Sequence, residues 1–143
     1  MTQTETYSVD QAAILQACRQ ELSPLAITGL EEFNRREFFQ AHETLEAAWK
    51  EDSSPGRELY RAILQVAVAY LQIERGNYRG AVKMFQRAHR WLDPLPDVCR
   101  GVEIAGLRAT AYQIQQVIQK LGPKRIKEFD FSLIRPIQYQ AHP

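Results

Sequence analysis

Apolar residues recur every three or four positions along most of the chain, which is the spacing of the buried face of a helix. The clearest runs cover residues 57–75 and 104–121. Proline, glycine and short polar clusters interrupt these runs, as they do at helix ends. No segment alternates apolar and polar residues between turn signals, so we expect no β-sheet. The pattern predicts an all-α protein of about six helices.

Capping and breaking residues set the predicted bounds of the helices. Ser8 with a glutamine three residues later forms a capping-box pattern, and Ser23 before Pro24 is typical of an N-cap followed by the first helical residue. Gly76 and Gly122 stand where helices are expected to end. The predicted helices cover about 9–22, 24–33, 36–50, 57–75, 78–92 and 104–121.

The length of 143 residues is that of one domain. We expect residues 1–7 to be disordered, residues 8–122 to form the helical bundle, and residues 123–143 to lie on it as an extended tail. The segment between the fifth and sixth helices contains two prolines and is expected to be irregular up to Gly101 and Val102.

A weak internal repeat relates the third and fifth predicted helices. An offset of 40 residues pairs Phe38 with Tyr78 and Ala41 with Ala81, and the second copy resembles half of a tetratricopeptide repeat. A stacked array needs three or more units, and the chain supplies at most two. The sequence therefore predicts helical hairpins of this geometry and not a repeat array.

Charge and composition narrow the partners and the compartment. The formal net charge is +1, so no strong field is expected to attract nucleic acid or a membrane surface. Neither a signal peptide nor a span-length apolar run is visible, which favours the cytoplasm. Cys18 and Cys99 lack a CxxC partner, and we expect two buried, reduced thiols. No motif calls for a cofactor.

Polar residues beside the apolar faces of the third and fourth helices form the candidate site. His42 and Glu46 lie one helical turn apart, and a carboxylate near the core needs a partner. If helices 36–50 and 57–75 pack as an antiparallel hairpin, their polar stripes face each other. The predicted pocket is formed by His42, Glu46, Trp49, Arg61, Gln65 and Gln72.

Three functions follow from this cluster. The leading hypothesis is a binding module that holds a small polar ligand or a peptide. An alternative is a metal-dependent or acid/base hydrolytic enzyme in which Glu46 is a general base and His42 an acid or a metal ligand, although two ligands do not make a metal site. A third is a polar network that only fixes how the helices pack, with function residing in self-association; a symmetric homodimer is then the default.

Two stretches in residues 33–92 resemble one known family. The first is Phe33-Asn34, then Phe38-Phe39, then the motif AHExLExxW that starts at Ala41. The second is Ile63-Leu64-Gln65-x-Ala67 followed by the motif RGNxxGA that starts at Arg75. Together they resemble the signature of the domain-of-unknown-function 309 family.

The resemblance implies a compact multihelical bundle with prokaryotic relatives and no established biochemical activity. It also implies that the family pattern includes His42, Glu46, Trp49, Gln65 and Asn77. The chain departs from that pattern at Ala62, where glycine is common, and at Gln72, where histidine is frequent. If relatives use the second imidazole to bind a metal, Gln72 argues against metal binding here.

Overall fold

The computed structural model describes residues 11–141, and the described part is all-helical apart from one short β-hairpin. The all-α prediction is confirmed. Helix α1 is described over residues 11–17, and the expected Ser8 cap and disordered residues 1–7 lie outside the described range. The other elements are α2 (Pro24–Asn34), α3 (Phe38–Glu51), α4 (Arg57–Glu74), α5 (Tyr78–Leu92), β1 (Val98–Cys99), β2 (Val102–Glu103) and α6 (Ile104–Arg125).

The helix starts follow the caps that the sequence contains. Ser23 Oγ accepts a hydrogen bond of 3.1 Å from Ala26 N, and Pro24 is the first residue of α2. Asn77 Oδ1 accepts a hydrogen bond of 2.9 Å from Gly80 N at the start of α5. Each cap satisfies a backbone donor that has no partner within the helix.

The helix ends confirm the two glycine signals. Gly76 follows α4 with φ +70°, a conformation that glycine adopts without strain. Gly122 interrupts α6 with φ +73° and ψ 178°, where the chain was expected to leave the helix. Beyond this break the chain makes one more helical turn to Arg125, so the tail begins later than predicted.

Consecutive helices pack as hairpins around an aromatic core. Helices α2 and α3, α3 and α4, and α4 and α5 are packed pairwise, and α6 packs on α5. Four buried rings meet where the hairpins join, with centroid separations of 5.3–6.0 Å and tilted or edge-to-face geometry, and they belong to Phe33, Phe38, Tyr70 and Phe85. Such pairs stabilise the core beyond the burial of their area.

The C-terminal tail lies on the bundle as an extended strap with two single 3₁₀ turns, Ile126–Glu128 and Phe131–Leu133. Its buried side chains include Ile134 and Ile137, each 4% exposed. Asn34 fixes the tail through both side-chain atoms, because Nδ2 donates to Ile137 O at 3.0 Å and Oδ1 accepts from Ile137 N at 2.7 Å. These contacts attach the tail to the bundle.

Two expectations about local structure are wrong. Helix α1 ends at residue 17 and not at Leu22, because a turn follows in which Gln20 N donates to Ala17 O, and Cys18 O accepts from the backbone N of Arg100. The segment expected to be irregular forms an antiparallel hairpin in which Cys99 pairs with Val102. Arg100 and Gly101 have φ of +51° and +81°, as both central residues of a tight two-residue hairpin require.

Candidate functional site

A cationic side chain is stacked between two tryptophans at the loop end of the α3–α4 hairpin. The guanidinium carbon of Arg61 lies 4.8 Å from the ring centroid of Trp49 and 4.1 Å from that of Trp91. Arg57 approaches the Trp49 ring as well, at 4.6 Å. We call Trp49, Arg61 and Trp91 the tryptophan stack; each contact has cation–π geometry.

Glu58 holds the tryptophan stack in place from the first turn of α4. Its Oε1 accepts a hydrogen bond of 3.1 Å from Trp49 Nε1 and lies 3.3 Å from Arg61 Nε. The Glu58 side chain is 16% exposed, so its charge is largely withdrawn from water and compensated by Arg61. An acidic residue in the first turn of a helix is also stabilised by the helix dipole.

Two adjoining cavities of about 470 and 440 Å³ lie beside the stack. Both are lined by Ile14, Glu58 and Trp91, and together they form what we call the Trp91 cleft. The remaining lining residues come from α1, the α3–α4 loop, the first residue of α4, and the end of α5 with the segment after it; they are Gln11, Ala13, Ser53, Ser54, Pro55, Arg57, Arg90, Pro94 and Leu95. A concave surface of this size with an aromatic wall and charged residues at its border is a candidate ligand site.

His42 and Glu46 form a half-exposed pair on the flank of α3. His42 Nε2 lies 3.4 Å from Glu46 Oε2, and Lys50 Nζ lies 3.1 Å from Glu46 Oε1. The side chains of His42 and Glu46 are 27% and 39% exposed. Among residues 11–141, no hydrogen bond or ion pair joins either of them to α4. Exposed pairs of this spacing contribute a few tenths of a kcal/mol.

The two predicted glutamines lie apart from each other. Gln65 is half-buried, and its Oε1 has no hydrogen-bond partner within the described residues. Gln72 Oε1 accepts a hydrogen bond of 3.1 Å from Asn77 Nδ2, at the other end of α4. Of the six predicted site residues, the structure therefore pairs Trp49 with Arg61 and His42 with Glu46, and within the described residues no hydrogen bond joins either glutamine to these pairs. In the part of the chain described, no group of three or more His, Cys, Asp or Glu residues is placed to hold a metal ion.

Arg100 is a buried arginine that sequence reasoning missed. Its side chain is 3% exposed, and the guanidinium makes five hydrogen bonds. The acceptors lie 2.7–3.0 Å away and are Ala17 O, Gln20 Oε1, Asp52 Oδ2, Ser54 Oγ and Tyr60 Oη. We call these residues the Arg100 cluster. All five N–H donors of a guanidinium are satisfied in this way, which is what a buried charge requires.

Asp52 is the acidic member of the Arg100 cluster. Burial alone raises the pKa of this carboxyl, but hydrogen bonds from Ser54 and the contact with Arg100 outweigh burial, so the pKa of Asp52 lies below its ordinary value of 3.8. Asp52 is therefore charged at neutral pH and compensates the buried guanidinium.

The prediction of two reduced thiols is wrong. Cys18 and Cys99 form a disulfide between the turn that follows α1 and strand β1. The two residues are 81 positions apart, and their Cα atoms lie 4.5 Å from each other. The spacing of the cysteines in the sequence cannot show that they are close. Their distance depends on how the hairpin that carries Cys99 packs against the turn after α1.

His89 belongs to a separate polar cluster on α5 and α6. Its ring stacks on Tyr112 with centroids 3.6 Å apart, and its Nδ1 lies 3.1 Å from Asp93 Oδ1. Tyr112 donates its hydroxyl proton to Asp93, and this hydrogen bond raises the pKa of Tyr112. His89 is buried and does not line the Trp91 cleft, so it packs between α5 and α6.

The fold and this geometry define a small all-helical domain with an aromatic, arginine-bordered cleft. Residues 26–84 match the family model described as "Domain of unknown function (DUF309)". The resemblance is confirmed over these residues, which are the part of the chain that the family model covers. A search of curated proteins found no match. The matched segment contains Trp49, Glu58 and Arg61, whereas Ile14 and Trp91 lie outside it.

No helix in the described part of the chain combines the length and the apolar character needed to cross a membrane. The cytoplasmic location stays a prediction.

Proposed function

We propose that the protein is a binding module that uses the Trp91 cleft to hold an apolar group carrying a single carboxylate. The observation that carries this proposal is the pair of adjoining cavities, which share Ile14, Glu58 and Trp91. A ligand that fills both cavities contacts an indole, an aliphatic side chain and charged groups at once.

The apolar part of the ligand is favoured by the cavity that extends toward the end of α5. Trp91, Ile14, Pro94 and Leu95 line this cavity, and Leu95 itself is 4% exposed. Burying an apolar group against such a wall contributes about 25 cal/mol per Å² of area removed from water. A ligand with an aromatic or branched aliphatic body gains most from this surface.

The carboxylate is favoured by the charge at the borders of the cleft. Arg57 and Arg90 are the cations that line the cleft; Glu58 lies closer to Arg61, at 3.3 Å, than to Arg57, at 4.0 Å. The Arg57 side chain is 41% exposed and Arg90 is exposed, so both can turn toward a bound anion. A planar guanidinium suits bidentate recognition of a carboxylate.

This proposal places the site at the loop end of the α3–α4 hairpin. It keeps Trp49 and Arg61 from the sequence-derived pocket as supports of the cleft wall. His42, Glu46 and the two glutamines do not line either cavity. Hydrolysis by His42 and Glu46 and a purely structural or self-associating role stay predictions that no contact described above favours.

The test uses 8-anilinonaphthalene-1-sulfonate, a fluorescent probe with an apolar body and one negative charge. Trp91→Ala should weaken its binding about ten-fold or more, since the variant loses the indole wall. The matched control is Phe39→Ala, which removes an aromatic that is 53% exposed and lies on α3 outside the cleft. Equal binding by the Trp91→Ala variant and the unchanged protein would refute the cleft.

Displacement of the probe identifies the ligand chemistry. N-acetylphenylalanine should displace it, and N-acetylphenylalanine amide, which lacks the carboxylate, should displace it poorly. The double variant Arg57→Gln/Arg90→Gln should remove this difference, because the bordering cations are then absent.

A tripeptide ending in phenylalanine that competes better than N-acetylphenylalanine indicates that the ligand is a peptide end. Equal competition indicates a free small molecule. Loss of probe binding in a His42→Ala/Glu46→Gln variant, with Trp91→Ala unaffected, would return the site to the sequence-derived pocket.

A further inference from the structure

The disulfide attaches one wall of the Trp91 cleft to the rest of the protein. Gln11, Ala13 and Ile14 of α1 line the cleft, and Cys18 follows this helix by one residue. Cys99 lies in strand β1, which precedes the long helix α6. The covalent bond therefore joins the cleft wall to an element that is distant in sequence.

Helix α1 has few other attachments within the described residues. Gln11 Nε2 donates to Pro94 O at 2.7 Å, and Ile14 is half-buried, whereas Leu15 is 42% exposed. Two turns of helix are not stable in water without such support. At the C-terminal end, the disulfide is accompanied by hydrogen bonds from Arg100 to Ala17 O, Cys18 O and Gln20 Oε1, and by the burial of Ala17, which is 4% exposed.

The backbones on either side of the disulfide are unusually close. A Cα–Cα distance of 4.5 Å lies at the short end of the range for bridged cysteines. Two separate thiol groups need more room than one bonded pair. Reduction removes the covalent attachment between the turn at Cys18 and the hairpin that carries Cys99.

A reductant has access to Cys18 and not to Cys99. Cys18 is 8% exposed and lines a cavity of about 130 Å³ together with Arg19, Gln20 and Gly101, whereas Cys99 is 0% exposed. In thiol–disulfide exchange, the sulfur that is attacked must be reachable along the approach of the thiolate. The cavity thus selects Cys18 as the attacked sulfur.

We propose that Cys18–Cys99 is a thiol-exchange site for a small dithiol, and that its reduction releases α1 and disassembles the Trp91 cleft. The dithiol attacks the Cys18 sulfur as a thiolate, and the electron pair of the broken bond leaves on the Cys99 sulfur, which takes up a proton. The second thiol of the reductant then displaces Cys18 as a thiol, and the reductant becomes a disulfide. Two electrons and two protons enter the protein, and oxidation reverses the step.

The part of the proposal that concerns the cleft rests on the proposed function, but the exchange and the release of α1 do not. Disulfides in reducing compartments are mostly transient or regulatory, so this reaction also fits the predicted cytoplasmic location. In the oxidised protein α1 completes the cleft; in the reduced protein the wall formed by Ile14 is absent.

The test compares the full chain with and without dithiothreitol. Iodoacetamide should label both cysteines only after reduction, and amide hydrogen exchange should show at least a ten-fold loss of protection at residues 14–18 with no change at residues 57–74. The double variant Cys18→Ser/Cys99→Ser should exchange like the reduced protein and should not respond to dithiothreitol. The reduced protein should also bind the naphthalene sulfonate probe at least ten-fold more weakly.

Each other outcome overturns a specific part of the proposal. No labelling after dithiothreitol overturns the exchange site. Labelling without any change at residues 14–18 overturns the release of α1, and loss of protection in both segments shows that the disulfide supports the whole fold. A probe that never binds the oxidised protein, while α1 still loosens on reduction, refutes the proposed function and leaves the redox step standing.

Discussion

Replacement of Arg100 by alanine should cost a large part of the stability of the fold. The change removes a guanidinium that donates five hydrogen bonds and leaves the partly buried carboxylate of Asp52 and the hydroxyl of Tyr60, in a residue that is 1% exposed, without this donor. Removing one partner of a buried ion pair costs about 3–5 kcal/mol. Domains of this kind have total stabilities of about 5–15 kcal/mol, so the loss is readily measured.

The conservative variant Arg100→Lys separates charge from geometry. Lysine keeps the positive charge but has three donors, so at least two of the five hydrogen bonds are lost. Hydrogen bonds to charged groups contribute about 1.5–3 kcal/mol each, and the expected loss is therefore about 3 kcal/mol or more. A lysine that restored full stability would show that charge alone matters at this position.

Urea unfolding followed by circular dichroism and tryptophan fluorescence measures these changes, with the disulfide kept intact in every sample. The matched control is Arg87→Ala, because Arg87 is an exposed arginine on α5 and its removal should change the stability by less than about 0.5 kcal/mol. If Arg100→Ala lowers the free energy of unfolding by less than about 1 kcal/mol, the reasoning is refuted. The five hydrogen bonds would then stabilise the folded protein no more than hydrogen bonds to water stabilise the unfolded chain.

Two further predictions concern the same cluster. Gly56→Ala should destabilise the protein, because the added Cβ would overlap the guanidinium of Arg100. The control is Gly106→Ala on the exposed surface of α6, where the added Cβ meets no atom within 4 Å and should stabilise the protein by about 0.5–1 kcal/mol. Thermal unfolding measures the stability of both variants. Because folding lowers the pKa of Asp52, the stabilisation by this carboxylate is present above its ordinary pKa of 3.8 and disappears as the pH falls through the folded value. The free energy of unfolding should therefore decrease in acid, and Asp52→Asn should make this decrease smaller. Urea titrations between pH 6 and about pH 2 test this, and the same decrease in Asp52→Asn as in the unchanged protein would contradict it.

The helical framework was predictable because its signals are local. The predicted bounds of α5 agree with the structure at both ends, since Asn77 caps the start and the proline that follows Asp93 prevents continuation. The loop before Arg57 and the stop at Gly122 were predictable for the same reason. Each of these features depends on a few adjacent residues and on backbone conformations that only certain residues favour.

The candidate site was only partly predictable, because the orientation of a helix is a property of its packing. The buried face of α3 consists of Phe38, Ala41, Leu45 and Ala48, each at most 2% exposed. With these residues facing the core, His42 and Glu46 lie on the side of α3, partly exposed to solvent. The periodicity of α3 alone allowed them to point at α4, and only the complete packing decides between the two orientations.

Contacts between distant segments were outside the reach of sequence spacing. Arg61 meets Trp91 only after α4 and α5 pack against each other, and Arg100 meets Asp52 only through the turn of a hairpin whose strands are two residues long. Strands of two residues have no periodicity to detect. The one available signal was the dipeptide Arg100-Gly101, which permits the positive φ angles of a tight turn but does not require them.

The family assignment and the cleft involve different parts of the chain. The matched residues 26–84 supply Glu58 and Arg57, two of the three charged residues that line the Trp91 cleft, and Arg90 lies outside them. Ile14 and Trp91, which form the apolar side, lie before and after that segment. The matched segment therefore provides an ion-paired wall, and the segments on either side provide the apolar wall against which we propose that a ligand binds. A ligand found for this protein is accordingly expected to depend on α1 and Trp91 at least as strongly as on the motif residues His42 and Glu46.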